Sequence, residues 1–111
     1  MKIAVIGSRS LHIDDLSPYL PPNTQELVSG GAKGIDTCAK EYALAHGLPI
    51  TEFLPDYPRY GRYAAPLKRN EAIVDYADGV LAFWDGYSKG TKHAMNYCTK
   101  IGKPLWIHPI K

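Results

Sequence analysis

Three glycine-rich loops each follow a short apolar run: Gly7-Ser8-Arg9, Ser29-Gly30-Gly31-Ala32-Lys33-Gly34 and Asp85-Gly86-Tyr87-Ser88-Lys89-Gly90-Thr91. Each precedes a stretch that reads as a helix. A strand feeding such a turn into a helix start converges backbone N–H groups, and the helix dipole favours an anion there. Three of them in 111 residues argue for a site that holds a phosphorylated ligand, a nucleotide derivative. In the first loop Gly7 would let the backbone approach a phosphate, Ser8 would donate a hydrogen bond and Arg9 would pair with the charge. The alternative there is a plain turn with an exposed Arg. In the second, Gly30, Gly31, Lys33 and Gly34 would cradle a phosphate or ribose, and Asp36 would bind hydroxyls or serve only as a helix-start carboxylate. In the third, Gly86, Ser88, Gly90 and Thr91 would meet the anion, with Ser88 or Thr91 also suited to cap the helix.

These loops need a scaffold. Lys2–Ile6 reads as a central parallel strand, because it is apolar on both faces. Leu11, Ile13, Leu16, Tyr19 and Leu20 suggest a short, imperfect helix stopped by Pro21-Pro22. Glu26–Ser29 reads as a strand and Gly34–His46 as a helix, with Ile35, Cys38, Ala39, Tyr42 and Ala43 on one stripe. Gly47 and Pro49 end that helix. Ile50–Leu54 is the third strand, and 55–65 reads as irregular. Pro66 suits the first position of a helix carrying Leu67, Ile73, Val74 and Ala77 inward. Gly79–Trp84 is a strand. A helix over 90–101 turns Thr91, Ala94, Met95, Cys98 and Ile101 to the core, and 105–108 is the last strand. Alternating strands and helices predict one domain over 1–111, an α/β, Rossmann-like, doubly wound parallel five-stranded sheet. Every loop after a strand then lies on the carboxyl edge, where a ligand crevice belongs.

Composition narrows the partners. Apolar residues make up 45% and the formal charge is +2, too weak a field to imply nucleic acid or membrane. No apolar run approaches the roughly 20 residues of a membrane helix. The N-terminal apolar stretch is too short for a signal peptide and reads as structural, so a cytoplasmic location is expected. The two cysteines lie on apolar helix faces and lack clustered partners, and the four histidines are scattered. No metal and no cofactor are expected. Tyr57, Tyr60 and Tyr63, with Trp84 and Asp85, suit a base-stacking wall. The alternative is packing of the loop or a dimer surface. Arg59 and Arg62 would meet a second phosphate.

In order along the chain, 3–9, 28–36, Pro55-Asp56-Tyr57, Lys68-Arg69-Asn70 and 83–91 resemble the YspA/YpsA-related branch of the SLOG superfamily. That superfamily also holds the DNA-processing protein A and the Lonely-guy phosphoribohydrolases. The resemblance implies a Rossmann-like fold with strand order 3-2-1-4-5 that binds nucleotides or ADP-ribose relatives, with the crevice between strands one and four. It implies functional roles for Arg69 and Asn70, which are otherwise a solvated face, and pairing of subunits into a homodimer. The Lonely-guy motif Pro-Gly-Gly-x-Gly-Thr-x-x-Glu aligns with 86–94. Gly90 and Thr91 match, and Ala94 stands at the catalytic Glu. The expectation is therefore a sensor or binding module for a nucleotide-derived small molecule. A nucleotide N-glycoside hydrolase, with Asp85 as candidate carboxylate, is the alternative. Single-stranded nucleic acid ranks last, as an unlikely partner.

Overall fold

Ile3, Ala4, Val5 and Ile6 are all buried, so both faces of their strand are covered. The computed structural model describes residues 1–8, 10–31 and 34–109. Its elements are β1 (Lys2–Gly7), β2 (Glu26–Ser29), α1 (Ile35–His46), β3 (Ile50–Glu52), α2 (Tyr57–Tyr76), β4 (Gly79–Trp84), α3 (Lys89–Lys100) and β5 (Leu105–Pro109). The strands form one sheet in the order β3-β2-β1-β4-β5, every neighbouring pair parallel. This is the predicted α/β Rossmann-like fold. Alternate strand residues serve opposite layers, as the period of two requires. Ala4, Ile6, Val28, Val80 and Ala82 pack against Ile73, Val74, Ala94, Met95 and Cys98 of α2 and α3. Ile3, Val5, Leu27, Leu81 and Phe83 pack against Ile35, Ala39 and Ala43 of α1. Burying each large aliphatic or aromatic side chain stabilises by roughly 1.5–3 kcal/mol.

Two polar clamps fix the ends of elements. Lys2 N–H donates to Asp78 Oδ2 at 2.8 Å, and Asp78 N–H donates to Lys2 O at 2.7 Å. The first of these bonds holds the Asp78 carboxyl below its usual pKa. Lys103 Nζ donates to the carbonyls of Val74, Asp75 and Ala77 at 2.6–2.8 Å. It supplies a cation where the α2 carbonyls lack partners.

Three local expectations fail, each for a physical reason. No helix forms over 11–20. Asp15 Oδ1 takes the Ser17 N–H at 3.0 Å, and Pro18 brings no N–H of its own. What remains is a single turn in which the Tyr19 and Leu20 N–H groups donate to Leu16 O. The apolar residues still reach the core: Leu16 is buried, and Leu11, Ile13, Tyr19 and Leu20 pack beside it. The stretch 55–65, expected to be irregular, is helical from Tyr57 onward. Asp56 caps α2 by accepting the Arg59 N–H at 3.3 Å, and a proline occupies the first turn. Gly61, at φ 82° and ψ 175°, breaks the helix into two segments, a backbone open essentially to glycine alone. Pro66 consequently lies inside α2, not at its first position. Finally, Ile101 sits at the C-cap of α3 and is 39% exposed rather than core.

Candidate functional site

The carboxyl ends of β1 and β4 meet where the sheet reverses its strand order, the place at which parallel α/β sheets open a crevice. A crevice of about 400 Å³ lies there, lined by Ile6, Gly7, Ser8, Ser10, Asp36, Pro66, Arg69, Asn70, Ile73, Asp85, Ser88, Gly90, Thr91 and Ala94. That is within the size range of small-ligand pockets, roughly 300–1,000 Å³.

One wall is the first turn of α3. Ser88 is its N-cap, and its Oγ accepts the Thr91 N–H at 3.4 Å and donates to Thr91 Oγ1 at 3.1 Å. The loop before it is wound around Asp85, whose Oδ1 accepts the N–H groups of Ser88 at 2.9 Å and Tyr87 at 2.8 Å. These two bonds, that of Ser88 foremost, hold the Asp85 carboxyl below its usual pKa. Trp84 Nε1 donates to Ser88 O at 3.0 Å, so the indole fastens the loop from behind. The Thr91 N–H of this first turn is thus taken by the cap, and Ser88, Gly90 and Thr91 line the crevice.

Opposite stands Ser8, 3% exposed. Its N–H donates to Phe83 O at 3.3 Å. Its hydroxyl is buried and has no hydrogen-bond partner among the described residues. Its influence on the Asp85 carboxyl is a lesser cause of that group's lowered pKa. A buried hydroxyl left so is uncommon.

The third wall comes from α2. Arg69 Nη1 donates to Gly30 O at 2.7 Å, and Nε donates to Asn70 Oδ1 at 2.8 Å. Asn70 Nδ2 in turn donates to Gly90 O at 3.2 Å. This chain ties the loop after β2 to the start of α3 through two adjacent side chains. Gly30 is needed for space: a Cβ there would stand 2.6 Å from Arg69 Nη1 and 3.0 Å from Asp36 Oδ2. Gly7 answers a similar need, since its Cβ would stand 2.4 Å from Ile35 Cγ1. The two glycines admit a guanidinium and a helix, respectively.

The structure thus brings Gly7, Ser8, Asp36, Arg69, Asn70, Asp85, Ser88, Gly90 and Thr91 to one crevice. Gly30, Gly31, Gly34, Trp84 and Gly86 do not line it; Gly30 and Trp84 act behind it on Arg69 and Ser88. Arg9 and Lys33 fall outside the described residues. The tyrosines stand apart. Tyr60 lines a second hollow of about 250 Å³ with Phe53, Leu54, Asp56 and Lys68, and Tyr57 and Tyr63 are exposed on the first part of α2. No wall of Tyr57 and Tyr60 with Trp84 forms. Arg69 borders both hollows. Sequence reasoning missed Ile6, Ser10, Pro66 and Ile73 as lining residues, having placed Pro66 at a helix start.

No protein-family model matches the chain. It is 36% identical over 84 residues to the Gene 61 protein of Mycobacterium phage D29, a match covering 71% of this chain and 67% of that protein. It is 40% identical over 45 residues to the SPbeta prophage-derived protein YoqJ of Bacillus subtilis (strain 168), covering 38% of this chain and 26% of that protein. Among solved structures, DNA processing protein A from Streptococcus pneumoniae superposes with a TM-score of 0.78 at 22% identity, over 99% of this chain and 50% of that one. DNA processing protein A from Helicobacter pylori, described for its single-stranded DNA binding mode, superposes at 0.75 and 23% identity, over 100% of this chain and 66% of that one. The chain therefore spans half to two thirds of the length of these structural neighbours. The expectation that nucleic acid is an unlikely partner is corrected by this finding. The Helicobacter protein, with the same fold over the whole of this chain, binds single-stranded DNA. Among the described residues no helix is long and apolar enough to cross a membrane.

Proposed function

We propose, for a chain that belongs to the family of the Gene 61 protein of Mycobacterium phage D29 and shares its fold with DNA processing protein A, that the crevice binds the phosphate of a nucleotide unit. The observation that carries the reading is the Ser8 hydroxyl, buried and without a hydrogen-bond partner among the described residues, on a residue that lines the same crevice as the first turn of α3. A phosphate oxygen there would accept from Ser8 and from the helix N–H groups together. Arg69, held by Gly30 and Asn70, places a positive charge on the wall of the same crevice. The ligand class is a nucleoside phosphate or an ADP-ribose-like molecule.

Binding without turnover is the fitting mode. Ala94 lines the crevice at the position of the Lonely-guy glutamate. Asp85, with its depressed pKa, is ionised at neutral pH and is a poor proton donor. A second reading is supported by the Helicobacter neighbour: the nucleotide unit belongs to a single strand. Arg59 and Arg62 alternate with the exposed Tyr57, Tyr60 and Tyr63 beside the second hollow, a pattern suited to bases and backbone.

Thermal shifts with nucleoside monophosphates, ADP-ribose and a short single-stranded oligonucleotide test both. A ligand of the native state raises the melting temperature by mass action, and an oligonucleotide would also weaken steeply with salt. Arg69→Ala and Thr91→Ala should reduce either shift. If no nucleotide or oligonucleotide stabilises the protein, or if both variants respond like wild type, the reading fails.

A further inference from the structure

One turn into α1, away from the residues used above, Cys38 is 3% exposed and borders a separate hollow of about 360 Å³. Its Sγ lies 3.2 Å from His12 Nδ1. His12 Nε2 lies 2.9 Å from Asp14 Oδ1. Ile13 N–H donates to the same Sγ at 3.3 Å. With the imidazole proton on Nε2, shared with Asp14, Nδ1 is left to accept the thiol proton. A thiol, a base that touches it and a carboxylate that orients the base make the arrangement of an activated nucleophile. Among the described residues no three His, Cys, Asp or Glu side chains are grouped to hold a metal ion, so thiol chemistry is what this cluster offers.

We propose that Cys38 is a nucleophilic thiol, with His12 as its base and Asp14 as a positioning residue, and that it is reversibly oxidised by small neutral hydroperoxides. The groups facing it explain the class. Asp14, Asp15 and Glu41 line the hollow together with Tyr42 and His46. Three carboxylates repel anionic oxidants, whereas hydrogen peroxide is uncharged and small enough to reach a nearly buried sulfur. The thiolate attacks one peroxide oxygen, the S–O bond forms and the O–O bond breaks. The departing hydroxide takes the proton that His12 had accepted and leaves as water. Sulfur is oxidised to sulfenic acid by two electrons and the peroxide is reduced. Cys98 packs with the layer on the other face of the sheet, so an external thiol must reverse the reaction.

Cys98 is also the internal control. Burial raises its pKa, and its Sγ donates to the carbonyls of Lys103 and Pro104. The test treats the whole chain with hydrogen peroxide and a sulfenic-acid trap and maps adducts by mass spectrometry. Cys38 should be trapped and Cys98 spared. His12→Ala and Asp14→Asn should slow trapping at least about tenfold, and Asp14→Asn should move the pH profile of iodoacetamide alkylation at Cys38 upward. The Asp14 side chain is 95% exposed, so that variant leaves the fold intact and carries the test if His12→Ala does not fold. Trapping of Cys98 as fast as Cys38, no trapping at Cys38, or a folded Asp14→Asn with wild-type rate and profile would overturn the proposal.

Discussion

Ser8→Ala separates the cost of an empty crevice from the value of a filled one. The Ser8 hydroxyl is buried without a partner among the described residues, and such a group costs about 1–3 kcal/mol of desolvation. Alanine keeps the Cβ and removes the orphan, so the ligand-free variant should gain about 1 kcal/mol or more. For a chain of this size each kcal/mol moves the melting temperature by roughly 4 °C. Bound phosphate reverses the sign, because a hydrogen bond to a charged acceptor is worth about 1.5–3 kcal/mol, or roughly 10- to 150-fold in affinity. The variant should therefore melt higher alone and respond less to a nucleoside phosphate. Circular-dichroism melts with and without ligand, supported by urea titrations, read both effects. A ligand-free Ser8→Ala protein that melts several degrees below wild type would refute the reasoning, since the hydroxyl would then already be satisfied.

Gly30→Ala places a Cβ 2.6 Å from Arg69 Nη1; displacing that side chain should cost about 1–3 kcal/mol and weaken nucleotide binding, both measurable by melts. Gly61→Ala meets no steric neighbour but must leave φ 82°. It should lose about 1–3 kcal/mol or straighten α2, seen as altered amide shifts confined to 57–66. Asp85 has a folded pKa below that of the unfolded chain. Its contribution is complete above the unfolded value near 3.8 and is lost as pH falls through the folded one. Asp85→Asn should flatten the stability–pH curve below pH 4, and an unchanged acid limb would count against the role given to its two backbone hydrogen bonds.

The sheet was legible because parallel central strands need continuous apolar runs, and Ile3–Ile6 and Val80–Phe83 supply them. Topology put a crevice on the carboxyl edge, the family resemblance put it between β1 and β4, and the glycine-rich loop at a helix start pointed to Ser88 and Thr91. The helix expected over 11–20 was misread because its apolar spacing reflects packing of a turn, while Asp15 and Pro18 take away the hydrogen bonds. The start of α2 was hidden for the opposite reason. Asp56 and Pro58 form a helix-entry signal, masked by Gly61 and the prolines around it. The bond from Arg69 to Gly30 joins residues 39 positions apart, and no local pattern announces it. Nor can a sequence reveal that the Ser8 hydroxyl lacks a partner, since that depends on what the neighbouring loops leave empty.

The strand order has a consequence in time. β1 lies in the middle of the sheet, between β2 and β4, yet β4 begins only at Gly79. Until that stretch leaves the ribosome, one edge of this buried apolar strand stays unpaired, and the Asp78 clamp on Lys2 cannot close. An open apolar edge is a template for wrong partners. The interval between synthesis of Gly7 and of Trp84 is thus when a nascent chain of this topology is most exposed to aggregation. The crevice, which needs both strand ends, is assembled only after that danger has passed.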